Sequence, residues 1–206
     1  MPPNATATAR QPYDIVGQPS FQAAVDPYLR AFRRGLNPPG RPAGIFYLLG
    51  PSGTGKTHSV SALAEAIHGS PKHVLRIDCG EYQTDHEVAK LIGAPPGYLG
   101  HGTTQPVLTQ MKLNQVMSER ANVAIVLFDE IEKASEAMVR ILLGILDQGE
   151  LRLGDGGVVK FERTLIFFTS NVGTSEANRM QVGLGRYGDC NSAETYQKAV
   201  RKRFST

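Results

Sequence analysis

Tryptophan is absent from this 206-residue chain, and cysteine occurs only twice, at Cys79 and Cys190. The two thiols are far apart and have no Cys or His at ligand spacing. That excludes a disulfide framework and a zinc site and points to a reducing compartment. Long apolar runs are also missing. None approaches the roughly 20 residues of a helical membrane span, and the N-terminus lacks the apolar core of a secretory signal. Nor is there a large excess of either charge. The net charge is +3, and the one basic cluster, Arg201-Lys202-Arg203, reads as a solvated helix face, which argues against a nucleic-acid partner. These absences lead us to expect a soluble, cytoplasmic protein with no membrane partner.

The length suits one α/β domain with a full core. Residues 1–12, rich in Pro, Ala and Thr, are expected to be a flexible lead-in. A helix is predicted at about residues 20–35, with Phe21, Ala24, Val25, Leu29 and Phe32 as its apolar stripe and Pro27 as a point of division. Runs at 45–49, 73–77, 123–128 and 165–169 read as buried parallel strands. Between them, residues 59–68 are helix-competent, and Met138, Ile141, Leu142 and Ile145 mark a helix that Ser135 caps and Gly149 ends. Residues 149–161 read as a hairpin with a flexible tip at 154–157. A glycine-rich loop at 180–191 and a last helix, opened by an Asn191/Glu194 capping box and running toward Phe204, complete the pattern. Alternating strands and helices imply a doubly wound, mostly parallel sheet, with ligands at the carboxyl ends of its strands.

The segment Gly50-Pro51-Ser52-Gly53-Thr54-Gly55-Lys56-Thr57 follows the apolar run Ile45-Phe46-Tyr47-Leu48-Leu49 and matches G-x-x-x-x-G-K-[ST] in the required strand-to-helix context. Glycines let successive N–H groups converge on phosphates, and the following helix presents its positive end. Pro51, Ser52, Gly53, Thr54, Gly55, Lys56, Thr57 and the next residue, His58, are therefore the expected nucleotide contacts. Lys56 reaches the outer phosphates and Thr57 a Mg²⁺ ion. A glycine-rich turn that binds nothing is the bland alternative. His68, His73, His86 and His101 are scattered and read as surface or core residues.

The run Ala124-Ile125-Val126-Leu127-Phe128 ends in Asp129-Glu130. Burying adjacent carboxylates without a cation is costly, and Mg²⁺ beside the phosphates supplies the cation. Asp129 would hold the metal through water, and Glu130 would act on the attacking water as a general base. Taken alone, the pair also fits a polar strand terminus. Asn171, after Ser170, has an amide suited to sense the γ-phosphate without adding charge, or simply to cap the strand end.

GPSGTGKT, RIDCGEY (76–82), LIGAPPGYLG (91–100), LFDEIEKAS (127–135), ILLGILDQG (141–149) and FFTSNVG (167–173) together resemble the Clp-type protein unfoldases of the AAA+ superfamily, specifically their second ATPase module. The likeness covers about residues 13–173. It implies ATP and Mg²⁺ as cofactors, with Lys56 and Thr57 as the phosphate and metal groups. Asp129 becomes the metal-site acid, Glu130 the catalytic base and Asn171 the sensor. It also implies that Ile15-Val16-Gly17-Gln18 packs on the adenine ring. Tyr98 and Leu99 would sit on a loop that grips a threaded protein substrate in the pore of a homo-oligomeric, hexameric ring. For Tyr98, stiffened by Pro95-Pro96-Gly97, a solvent-exposed turn is the alternative. The tip at 154–157 resembles the secondary pore loop.

Two departures stand out. His101-Gly102-Thr103-Thr104-Gln105 replaces an acidic stretch of the mainstream unfoldases, and the spacing from Tyr98 to Asp129 is long. The resemblance also implies an arginine finger, a fifth strand and a helical lid beyond a position like Phe204. Residues 13–206 are thus expected to be the large subdomain of a longer ATPase, incomplete at its C-terminus and slow to hydrolyse ATP alone. The resulting reading is an ATP-hydrolysing motor module that remodels proteins. A nucleotide-gated scaffold and a small phosphotransferase are its rivals.

Overall fold

The computed structural model describes residues 19–84, 86–94 and 105–171. The lead-in, the adenine-side residues 15–18, Tyr98 and Leu99, the 180–191 loop and the helix toward Phe204 lie outside the described residues.

Four strands form a parallel sheet: β1 (Gly44–Leu49), β2 (Leu75–Asp78), β3 (Ala124–Asp129) and β6 (Thr164–Ser170), in the spatial order β1-β6-β3-β2. Around it lie α1 (Pro19–Arg33), α2 (Lys56–His68), α3 (Val88–Ile92), α4 (Gln110–Gln115) and α5 (Glu136–Gln148). The hairpin is present as β4 (Glu150–Arg152) against β5 (Val158–Lys160). The expected doubly wound, mostly parallel architecture is the one observed.

Strand alternation divides the core in two. Ala124, Val126 and Phe128 of β3 and Ile166 and Phe168 of β6 pack with Leu91, Leu113, Met138, Leu142 and Ile145 on one face. Ile125, Leu127, Leu165 and Phe167 pack with Phe21, Val25 and Leu29 of α1 and Val60, Leu63 and Ile67 of α2 on the other. β3 and β6 are buried along their whole length. β1 and β2 are not, which corrects the reading of four buried strands. Tyr47 is 47% exposed, and in β2 only Ile77 is buried. The cause is position, because among the described residues β1 pairs only with β6 and β2 only with β3.

Three local expectations change. Pro27 does not divide α1, which runs unbroken over 15 residues. Pro27 and Ala23, whose carbonyl loses the usual N–H partner, are both exposed, so the lost bond buries no unsatisfied group. Ala24 is exposed rather than part of the stripe. The hairpin tip is tied down rather than flexible: Leu153 N–H donates to Gly157 O at 2.8 Å and Gly154 N–H to Ile92 O at 2.9 Å. α5 follows its sequence signals, with Ser135 Oγ accepting from Met138 N–H and Gly149 in the left-handed region at φ 64°.

Gly154 seats the hairpin on the residues that lead into segment 95–104. A Cβ there would lie 2.4 Å from Gly93 O and 2.9 Å from the Ala94 carbonyl carbon. Gly154→Val is therefore expected to destabilise the chain by about 1–3 kcal/mol through overpacking. A urea midpoint equal to that of the unaltered chain would show that the contact is not tight.

Candidate functional site

The chain leaves β1 through Gly50 and turns so sharply that Gly53 and Gly55 adopt φ values of 81° and 84°, where a side chain is strained. α2 begins at Lys56, three residues earlier than the helical pattern suggested, so Lys56 and Thr57 occupy its first turn. Gly55 offers no side-chain cap and the first turn carries no acid, which leaves the N–H groups of that turn open to an anion.

Lys56 folds back over the loop. Its Nζ donates to Gly50 O at 2.7 Å, Pro51 O at 2.8 Å and Asn171 Oδ1 at 2.8 Å. Among the described residues no carboxylate lies within ion-pairing distance of it. Burial lowers the Lys56 ammonium from its usual value, against an upward pull from Glu132, Asp129 and Glu130. A cation held by neutral carbonyls at the mouth of a helix suits an incoming anion.

Opposite stands Asp129, 7% exposed at the end of β3. Alternation turns it, Thr169 of β6 and Arg76 of β2 toward the same face, because parallel pairing sets Arg76 beside Leu127 and Phe168 beside Phe128. The Thr169 hydroxyl donates to Asp129 Oδ1. Asp129 Oδ2 accepts from Arg76 Nη2 at 2.5 Å and lies 3.4 Å from Thr57 Oγ1.

Glu130 follows with φ 55° and ψ 51°, the one non-glycine residue at positive φ among the described residues. Such strain collects at functional sites. Its N–H donates to Thr169 Oγ1 at 3.0 Å, and its carboxylate pairs with Lys133 Nζ at 2.5 Å. Glu132 Oε1 accepts from the Asn171 N–H at 3.0 Å, which ties the end of β6 to the turn after β3.

The structure thus brings together Ser52, Gly53, Thr54, Gly55, Lys56, Thr57, His58, Asp129, Glu130 and Asn171 around a cleft of about 440 Å³. Pro51 instead lines a second cleft, of about 620 Å³, with Phe21, Ala24, Phe46 and Leu49; Thr54 and Lys56 border both. Ala24 faces this cleft, which accounts for its exposure.

Sequence reasoning missed Arg76, Thr169 and Glu132 as site residues. Arg76 and Glu132 lay inside quoted motifs without a role. Thr169 had a legible signal in the alternation Leu165, Phe167, Thr169. The residues fit a triphosphate with a divalent cation: an open helix end and a lysine on one side, and an aspartate oxygen facing a threonine hydroxyl on the other.

Comparison with known proteins gives a consistent picture. Residues 41–206 match the sequence family described as AAA domain (Cdc48 subfamily). The chain is 38% identical over 191 residues to the ATP-dependent Clp protease ATP-binding subunit ClpC of Staphylococcus aureus, covering 92% of this chain and 22% of that protein. The Staphylococcus epidermidis protein of the same name is 37% identical over the same length. Among solved structures, the closed state of Hsp104 with ATPγS and FITC-casein superposes with a TM-score of 0.76 at 29% identity, covering 93% of this chain and 31% of that one. The S. cerevisiae Hsp104–casein complex in its extended conformation gives the same values. This chain therefore spans about a fifth of the length of the curated relatives it matches. From the phosphate-loop geometry, the parallel sheet and these matches, the chain belongs to the AAA domain family, Cdc48 subfamily, as a Clp-type AAA+ ATPase module.

Proposed function

We propose that this chain binds ATP with Mg²⁺ between the loop 50–57 and the carboxyl ends of β3 and β6, and hydrolyses it to drive remodelling of protein substrates. One observation carries the reading. Lys56, an uncapped helix start, and the Asp129–Thr57 pair face one cleft, with Glu130 and Asn171 at its rim.

In this reading the loop amides and Lys56 hold the phosphates, and Lys56 exchanges its carbonyl partners for phosphate oxygens. Thr57 and Asp129 hold the metal, which when bound neutralises charge on the phosphates. Glu130 takes the proton of the attacking water once its carboxylate turns from Lys133. Asn171, bonded to Lys56 through Oδ1, moves as that lysine re-engages and so reports the state of the phosphates at the end of β6. The second cleft, with Phe21, Ala24 and Pro51, offers apolar contact for the base. The contribution of residues 15–18 to that contact rests on the resemblance. So do the grip of Tyr98 and Leu99 on substrate and the hexameric ring.

Titration with ATP·Mg in a calorimeter tests the core of the reading. The unaltered chain is expected to bind, and Lys56→Ala to bind at least about 100-fold more weakly, since it removes a charge-assisted contact worth about 1.5–3 kcal/mol together with long-range attraction. Absence of binding by the unaltered chain, or equal binding by both, would overturn it. ADP formation that appears only when a small-molecule acceptor is added would favour a phosphotransferase instead.

A further inference from the structure

Arg76 is absent from the roles assigned above, yet among the described residues it is the cation paired with the proposed metal-site acid. It rises from β2, on the strand face shared by Asp78, Leu127 and Asp129. Its guanidinium Nη2 lies 2.5 Å from Asp129 Oδ2, with the arginine side chain 59% exposed and the aspartate side chain 11% exposed.

The two oxygens of Asp129 are not equivalent. Oδ1 is turned to the Thr169 hydroxyl. Oδ2 is the oxygen that faces Thr57 Oγ1, at 3.4 Å, and is therefore the one available to a cation shared with that threonine. The guanidinium sits on this same oxygen. An arginine cannot lose its charge near neutral pH, so it leaves only by moving. A carboxylate this buried needs a cation, and Arg76 supplies one when the nucleotide is away.

We propose that Arg76 is a positioning residue that acts as a resident counter-ion for Asp129 and competes with the divalent cation for Oδ2, so that it sets how strongly nucleotide binding depends on metal. The inference rests on the proposed nucleotide site. Its physical content is a linkage. Nucleotide without metal leaves the Arg76–Asp129 pair intact, whereas nucleotide with metal must break it. Like-charge repulsion between guanidinium and ion adds to the same term. Because Arg76 is largely exposed, the pair has the modest strength of a surface ion pair.

The test is the ratio of two dissociation constants for a fluorescent ATP analogue, one with EDTA and one with excess Mg²⁺. It is measured on the unaltered chain, Arg76→Met and Arg76→Lys. In Arg76→Met the ratio is expected to rise about two- to fivefold, the range corresponding to an exposed ion pair. Arg76→Lys, which keeps a cation, is expected to fall between the two. A ratio unchanged in Arg76→Met, with both constants weakened alike, would make Arg76 a phosphate contact and overturn the proposal. So would a ratio that falls in either variant, since the arginine would then assist the metal. Arg76 is exposed and Arg76→Lys keeps its charge, so the Lys variant decides the matter if Arg76→Met unfolds. Failure of the unaltered chain to bind the analogue at all sinks the nucleotide site itself, and this inference with it.

Discussion

Replacing Glu130 by Gln is expected to lower ATP turnover by about 10²–10⁴-fold, the range for removal of a general base, while leaving ATP·Mg affinity within a few-fold of the unaltered chain. Gln matches Glu in shape, so the change isolates the carboxylate. The backbone of residue 130 is held independently of the side chain, because its N–H donates to Thr169 Oγ1 and the hydroxyl of Thr169 is itself fixed on Asp129. That anchorage also keeps the residue at φ 55°, a conformation costing a non-glycine residue about 1–2 kcal/mol. The glutamine would bear the same strain in the same place. The ion pair with Lys133 would go, but both partners are substantially exposed there, so its loss should not move the fold. A coupled assay of ADP release beside an equilibrium binding measurement decides the matter. Turnover that stays within tenfold would transfer the base to another group or favour a nucleotide-gated scaffold.

Phe168→Ala is expected to cost about 3–5 kcal/mol of stability, the range for emptying a buried aromatic site. Phe168 is 1% exposed at the centre of β6. Its ring stacks on Tyr47 at 4.8 Å between centroids and on Phe128 at 5.3 Å, so one side chain joins three adjacent strands. Its neighbours cannot close the void: Phe128 is wholly buried in a strand hydrogen-bonded on both sides, and Tyr47 stands on a half-covered strand with less packing to draw on. Urea denaturation followed by circular dichroism measures the loss. A change below about 1 kcal/mol would mean that the three-ring stack contributes little beyond ordinary contact.

The phosphate loop was readable because its requirements are local. Left-handed φ values at Gly53 and Gly55 demand glycine, and Lys56 and Thr57 must follow at once if they are to enter the first helical turn. The interior strands were equally readable, since 124–128 and 165–169 are apolar on both faces and both faces are covered. Local reasoning failed where a neighbour decided the outcome. Residues 73–77 look much like the other strands, yet at the sheet's margin only Ile77 is enclosed. Pro27 looks like a helix breaker, yet Ala23, whose carbonyl it leaves without the usual N–H partner, is exposed and the helix continues. α3 and α4, with five and six residues, are shorter than the window in which a helical period emerges.

The same division runs through the site. Chain chemistry alone determined which groups are present for the proposed phosphate and metal contacts, because a glycine-rich turn before a lysine and a strand ending in two acids are properties of contiguous residues. Only the assembled sheet decided which oxygen of Asp129 faces Thr57, that Thr169 holds the other, and that Arg76 bonds the first. Asp129, Thr169 and Arg76 come from strands separated by tens of residues, and it is the parallel hydrogen-bond register that sets them side by side.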